Sequence, residues 1–358
     1  MGLFILRRLG VMILTALCLT FIVFFLTNLY PNLEKLAKTQ GEMRMSDEQV
    51  ERWLANRGYD QPLPIKYGEW LGVWPSKIIN TDDGRTYGRC IESGVAIEDT
   101  PRFCGVIQGD WGFSSVFKND VAGIIATRLS LTGKLMFWVM ILMIPSALLI
   151  GVLAGMREGS RTDRSLSTLS IATTATPEYV SGVIFIALFA ASASPLNQWL
   201  ASMDWIEGRT LFKGTATSAM ENANFNNFFL PVLTISLYGM GYIARMTRAS
   251  MAEVMTAQYI RTARLKGVSF PNIVVKHALR NALIAPFTVI MLQIPWLLNG
   301  VVIVETLFNY KGFGWVLVQA AGNNDIELLL GVSVVSVIVV LITQLISDIG
   351  YVYLNPRI

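Results

Sequence analysis

Charge is scarce in this chain. Of its 358 residues only 15% are charged, against 53% hydrophobic, where a soluble domain carries roughly 25% charged residues. Too little charge remains to cover a water-facing surface, and a mean hydropathy of +0.49 excludes disorder as well. Histidine and cysteine are nearly absent, at one and three residues. That leaves little material for a metal centre, and none is expected. The net charge of +4 comes from 29 basic and 25 acidic residues, so bulk charge does not suggest nucleic acid as a partner. Nucleotide and catalytic motifs are missing too. There is no G-x-x-x-x-G-K-[ST], H-E-x-x-H, C-x-x-C or G-x-S-x-G. Gly312-Phe313-Gly314 is a two-glycine turn, not a dinucleotide fingerprint. No nucleophile–base pair stands out, so no catalytic residue is assigned and an enzyme is not expected.

What the chain has is long uncharged runs. Leu9–Leu29, Leu135–Gly155, Phe228–Ala244, Ala282–Val304 and Leu328–Ser347 carry no charge, and Ser165–Met203 carries only Glu178. A membrane helix needs about 20 mainly apolar residues. Six spans are predicted, near 9–30, 134–156, 166–193, 228–246, 282–305 and 328–350. Arg7 and Arg8 precede an apolar stretch, as in a signal peptide. That stretch is too long and lacks a small-residue exit, so an uncleaved first span is expected. Pro177 predicts a kink in the third span beside Glu178.

The basic residues orient the spans. Loops 157–165 and 247–281 hold Arg157, Arg161, Arg164, Arg248, Arg261, Arg264, Lys266, Lys276 and Arg280. Loops 194–227 and 306–327 hold only Arg209, Lys213 and Lys311. The positive-inside rule puts the richer set, and both termini, in the cytoplasm. Three regions follow: residues 1–30, an outer segment 31–133, and a core 134–358 containing the cytoplasmic loop 247–281. In the outer segment Ser46 and Gln49 suit a capping box. Cys90 and Cys104 both lie there, on the oxidising side, where a disulfide or two free thiols are the readings.

The loop 247–281 is chemically distinct. Good helix formers run from Val254 to Lys266, and Gly267 stands where a C-terminal cap is expected. Tyr259, Thr262, Ala263 and Lys266 would share a face. Beyond Pro271 a second helix, with His277, Arg280 and Asn281, leads into the fifth span. A helix–glycine–helix of this kind suits docking on a cytoplasmic partner, or a solvated basic loop held at lipid headgroups.

The stretch Arg261-Thr262-Ala263 with Gly267 resembles the E-A-A…G coupling loop of ABC importer permeases. Tyr259 to Gly267, then His277 to Leu283 with Pro286, resemble the first permease subunit of the dipeptide/oligopeptide/nickel group. Glu305-Thr306-Leu307-Phe308-Asn309-Tyr310, Gly312-Phe313-Gly314, Gly109-Asp110-Trp111-Gly112, Ile5 to Leu9 and Asp60 to Leu63 match in order. The chain departs at Ser130, at a longer 75–107 segment and at the Asn355-Pro356-Arg357-Ile358 ending.

The resemblance implies an all-α membrane protein of the type I importer permease fold, in the bacterial inner (plasma) membrane. It implies a second permease subunit, two ATPase subunits carrying ATP and Mg, and an extracytoplasmic solute-binding protein. The chain itself would bind no cofactor. Tyr259, Arg261, Thr262, Ala263, Arg264, Lys266, Gly267, His277, Arg280 and Asn281 would couple it to the ATPase. Glu178, read from its place in the third span, would be a structural residue near the kink or a pathway-lining group. A stand-alone secondary transporter or channel is the competing class, and it needs intramembrane ionisable groups. Only Glu178, Glu305 and Asp348 are available.

Overall fold

The computed structural model describes residues 2–81, 84, 86–91, 96–206 and 210–354. The 355–358 ending and Arg209 fall outside them. The described residues are mostly helical. Helices α1 (Gly2–Thr27), α2 (Tyr30–Gln40), α3 (Asp47–Ala55) and α4 (Leu63–Leu71) come first, followed by the short strands β1 (Ile79–Asn80) and β2 (Thr86–Tyr87). Then come α5 (Val121–Gly155), α6 (Arg161–Ala175), α7 (Glu178–Phe185), α8 (Pro195–Ser202) and α9 (Phe225–Met255). The remainder is α10 (Gln258–Leu265), α11 (Phe270–Asn272), α12 (Leu279–Ala282), α13 (Ile284–Leu307), α14 (Phe313–Gly322) and α15 (Ile326–Leu354).

Among the described residues five helices are long and apolar enough to cross a membrane: Ile5–Thr27, Val121–Gly155, Glu178–Ser202, Phe225–Met255 and Ile326–Gly350. A sixth is reached if Phe270–Ala282 and Ile284–Gln293, bent by 52° at their junction, count as one span. The boundaries differ from those expected. The second long helix starts at Val121, not near 134, because Arg128 and Lys134 are carried within it. The third stretch is cut in two. The chain is extended at Thr176 and Pro177, so α6 ends at Ala175 and α7 begins at Glu178. Proline cannot continue the donor ladder of the preceding helix, and it disfavours helical backbone in the residue before it.

The chain divides into two compact units. One comprises Met1–Arg128 with Val316–Leu341. Its core joins Phe24, Leu36, Val50, Leu54 and Trp70 to Ile326 and Leu330. The α3 cap closes as the sequence suggests. Gln49 N donates to Ser46 Oγ at 3.4 Å, and Ser46 N donates to Gln49 Oε1 at 2.8 Å. Arg89 anchors the far end of the unit, lying 3.4 Å from Asp110 and 3.4 Å from Glu327. Ser114 Oγ donates to Asp325 at 2.6 Å.

Cys90 and Cys104 are joined by a disulfide, Cα–Cα 5.5 Å. A bridge closing a loop of this size adds about 3 kcal/mol in the chain-entropy model. The double Cys→Ala variant should therefore melt earlier under non-reducing conditions, and reductant should lower the wild-type midpoint to match it. A wild-type midpoint indifferent to reductant would contradict this.

The second unit comprises Leu129–Trp315 with Ile342–Ile358. Helix α9 is its centre and packs against α6, α7 and α13. Leu135, Val139 and Met143 of α5 meet Leu230, Ile235 and Ile243 of α9, with Leu297, Val301 and Val304 of α13. Small residues let the backbones close. A Cβ on Gly151 would lie 2.6 Å from the Ala244 carbonyl oxygen, the kind of contact that membrane helices make through glycine.

The Glu305–Gly314 motif is a knot at the end of α13. Thr132 Oγ1 donates to Glu305 Oε1. The backbone N–H of Trp315 donates to Glu305 Oε2 at 2.9 Å, and that of Phe313 donates to Thr132 Oγ1 at 2.8 Å. The fully buried carboxylate thus satisfies first-turn donors of α14.

Candidate functional site

Helix α9 stops at Met255, and Thr256 and Ala257 separate it from α10. A single helix from Val254 to Lys266 was expected, and the chain instead turns at Ala257, which has φ −63° and ψ 148°. The turn lets α10 fold back over the end of α9. Ile260 and Ala263 then enter an apolar cluster with Met251, Met255, Ile273, Val274, Ala278 and Ala282. Burying an isoleucine such as Ile260 contributes about 1.5–3 kcal/mol, which offsets the interrupted helix.

Helix α10 ends in a Schellman motif. Lys266 is the cap residue, and Gly267 takes the left-handed conformation at φ +76°. Gly267 N donates to Arg264 O at 3.0 Å, and Val268 N donates to Ala263 O at 3.2 Å. These are the 5→2 and 6→1 bonds of that motif, and Val268 adds its apolar contact to the same cluster.

The ring of the second segment closes the site. Residues Ile273–Ala278 form a π-helical stretch that continues into α12. Asn281 Nδ2 donates to Tyr259 Oη at 2.9 Å, tying α12 to α10. Ser250 Oγ donates to Ala282 O at 2.9 Å, tying α12 to α9.

Ala263 does not share the outer face with Tyr259, Thr262 and Lys266. It is only 8% exposed and faces the cluster. Ile260 decides this: it is the large apolar residue of α10 that fits the interior, and Ala263 lies one turn on along the same side. Tyr259, Arg261, Thr262, Arg264, Lys266, Gly267, His277, Arg280 and Asn281 are all exposed. Leu265, at the helix tip, is 81% exposed, and Val275 is also exposed. Neither was singled out from the sequence, although a leucine off the buried face of a polar helix is a usable signal. From Val254 to Leu283 there is no acidic residue, against five Lys and Arg.

A second feature was not foreseen. Asp163, capped by Ser160 at the start of α6, receives Arg248 of α9 twice, Nε at 2.6 Å and Nη2 at 2.8 Å. Gly159 N and Ser167 Oγ also donate to it. The Arg248 hydrogen bond, outweighing burial, holds the Asp163 carboxyl well below the usual carboxylate range. A depressed acid adds stability above its unfolded pKa of about 3.9, and that stability is lost as pH falls through the folded value. Asp163→Asn should cost about 1.5–3 kcal/mol, the range for a hydrogen bond to a charged group. The loss should be constant from pH 5 to 8 and shrink only below about pH 4. Thermal melts at both ends of this range check it, and an equal loss at acid pH would refute the charge argument.

Glu178 lies in the first turn of α7, 8% exposed. Its Oε1 has no hydrogen-bond partner among the described residues.

Residues 147–358 match the family model described as "Binding-protein-dependent transport system inner membrane component". The chain belongs to this family. It is an ABC importer permease of the dipeptide/oligopeptide group. It is 31% identical to the di/tripeptide transport system permease protein DppB of Pseudomonas aeruginosa, over 99% of this chain and 98% of the relative. It is 30% identical to the probable peptide ABC transporter permease protein y4tP of Sinorhizobium fredii, over 100% and 99% of the two chains. The dipeptide transport system permease protein DppB of Escherichia coli K12 is 28% identical, over 99% and 98%. The apolar helices agree with a multi-pass membrane protein.

Proposed function

We propose that this permease forms half of the pathway of an ATP-driven importer for peptides or similar small solutes in the bacterial inner membrane. In this reading the chain crosses the membrane six times, the bent pair 270–293 opening the fifth crossing. Both termini are cytoplasmic. A second permease subunit completes the pathway, and a solute-binding protein delivers cargo to the 31–133 segment. Two ATPase subunits carry the ATP and Mg, and the tip of α10 sits in a cleft of one of them. ATPase closure then moves the spans between two access states. Glu178 is a pathway-lining or kink-satisfying group, not a proton carrier.

One observation carries the reading. A membrane chain without a P-loop presents a short helix, sharply stopped at Gly267, whose outward side is cationic and carries an exposed Leu265. Such a surface suits an acidic, partly apolar cleft on a partner. The names of its relatives support peptides as the solute class.

Two measurements test this. Single cysteines at Thr215 and Gly84 should react with an impermeant reagent from outside, and one at Ser269 should not. Co-expression with the neighbouring ATPase genes should give a complex whose ATP hydrolysis drives peptide uptake into vesicles. Uptake without any ATPase, driven by an ion gradient, would turn the reading to a secondary transporter.

A further inference from the structure

The first unit contains a cavity of ≈ 270 Å³ beside α4. It is just under the ~300 Å³ at which pockets for drug-sized ligands begin, so it suits a smaller solute. Its floor is Phe24, Trp70, Ile326 and Leu330, all within the closed apolar core. Its walls carry Arg57, Lys66, Lys77 and Glu69. Arg89 and Glu327 also line it, but they pair with each other.

Beside that pair the lining carries the cations Arg57, Lys66 and Lys77 and the carboxylate Glu69, to which the Lys77 backbone also bonds. The Arg57 guanidinium is held 3.8 Å from the Trp53 ring centre and 4.6 Å from that of Tyr87. Such packing fixes it before any ligand arrives. Lys66 donates once, to Tyr59 O at 3.0 Å, and an ammonium has three donors. Burial lowers the Lys66 pKa, so an anion nearby would restore its charged form. Trp70 is 3% exposed, and its indole N–H has no hydrogen-bond partner among the described residues. A buried donor without an acceptor is rare and costly. Glu69 is a second pole. Burial raises its pKa, and it accepts from Gln61 Nε2 at 3.4 Å.

We propose that this cavity binds a short free peptide, its terminal carboxylate taken by Lys66, Arg57 and the Trp70 N–H, its ammonium facing Glu69. The ligand rests on the function proposed above. A phospholipid headgroup carries comparable charges, but its acyl chains need an apolar exit. The apolar side of this cavity is sealed by four core residues. The rest of the lining is largely polar, with Arg57, Lys66, Lys77 and Glu69, which suits a ligand that comes from water.

The assembled transporter in phosphatidylcholine nanodiscs, with no binding protein, tests this by equilibrium dialysis of labelled dialanine. Saturable binding is expected, and dialanine amide should bind roughly tenfold more weakly, the size of one lost charge-assisted hydrogen bond. Trp70→Phe keeps the ring and removes the N–H, and Lys66→Met removes the cation. Each should weaken dialanine about three- to tenfold while the amide changes little. Glu69→Gln should weaken dialanine but not its N-acetyl derivative. Unchanged melting midpoints show that the variants are folded. Equal binding of acid and amide, or indifference to Trp70→Phe, overturns the inference. So does equal displacement by glycerophosphoethanolamine, which would assign the site to headgroups. ATP-driven peptide uptake by the same transporter, reconstituted in vesicles together with its binding protein, separates the two claims. Uptake without dialanine binding removes this inference alone, and no peptide uptake removes the function it rests on.

Discussion

Gly267→Val should abolish ATP-coupled uptake while leaving the chain in the membrane. Gly267 sits at φ +76°, and its backbone closes the Schellman motif through Arg264 and Ala263. A left-handed residue with a Cβ costs about 1 kcal/mol, and β-branched valine costs more. Within this chain a Cβ at Gly267 meets nothing within 4 Å. Any steric penalty beyond backbone strain must therefore come from a partner. Two substitutions separate these terms. Asparagine tolerates the left-handed region, so Gly267→Asn keeps the cap and adds only bulk. If the ATPase cleft closes tightly on the tip, both variants lose stimulated ATP hydrolysis and co-purify less ATPase. If only the cap matters, asparagine retains most of the activity. Normal uptake by Gly267→Val would remove the coupling role from this loop.

The second large effect contrasts the two faces of α10. Ala263→Asp places a carboxylate in the cluster of Met251, Met255 and Ile273. The cluster is apolar, and burying an unpaired charge costs several kcal/mol. The loop should come loose, and proteolysis between α9 and α12 should rise in the isolated subunit. Leu265→Asp changes a residue that is exposed. Its protease pattern should stay wild-type, while ATPase recovery on co-purification falls at least tenfold. Equal proteolysis of the two variants would mean that the inner and outer faces are misassigned. Full ATPase recovery by Leu265→Asp would exclude the tip from the contact.

Much of this was open to reading in the chain itself. Uncharged runs announce α1, α9 and α15 because a lipid-facing helix must be apolar for most of its length. Gly267 was legible because few residues serve a left-handed stop. Cys90 and Cys104 were legible because they were the available pair outside a predicted span. The failures have physical causes. Nothing in Thr256-Ala257 forbids a helix, and the break there comes from packing of Ile260, a tertiary effect. Ala263 was grouped with Tyr259 and Thr262 by the i, i+3, i+4 spacing alone, and the packing of Ile260 turns it inward instead. Arg89 and Glu327 are 238 residues apart, and Asp163 and Arg248 are 85. Such ion pairs leave no local trace, since each partner alone looks like an ordinary surface charge.

The 52° bend at Leu283 has a mechanical consequence. On one side lie α10 and α12, cross-pinned by Tyr259–Asn281 and Ser250–Ala282. On the other, α13 runs for 24 residues, about 36 Å at 1.5 Å per residue. A crank with a short arm and a long arm multiplies displacement. If α13 tilts as a stiff rod by ~10° about the bend, its far end at the Glu305 knot travels ~6 Å, from the same helix length. A push of an ångström or two on α10 would then be enlarged several-fold at the other end of the helix. The stiffness of the Glu305 knot would set how much of that travel reaches α14.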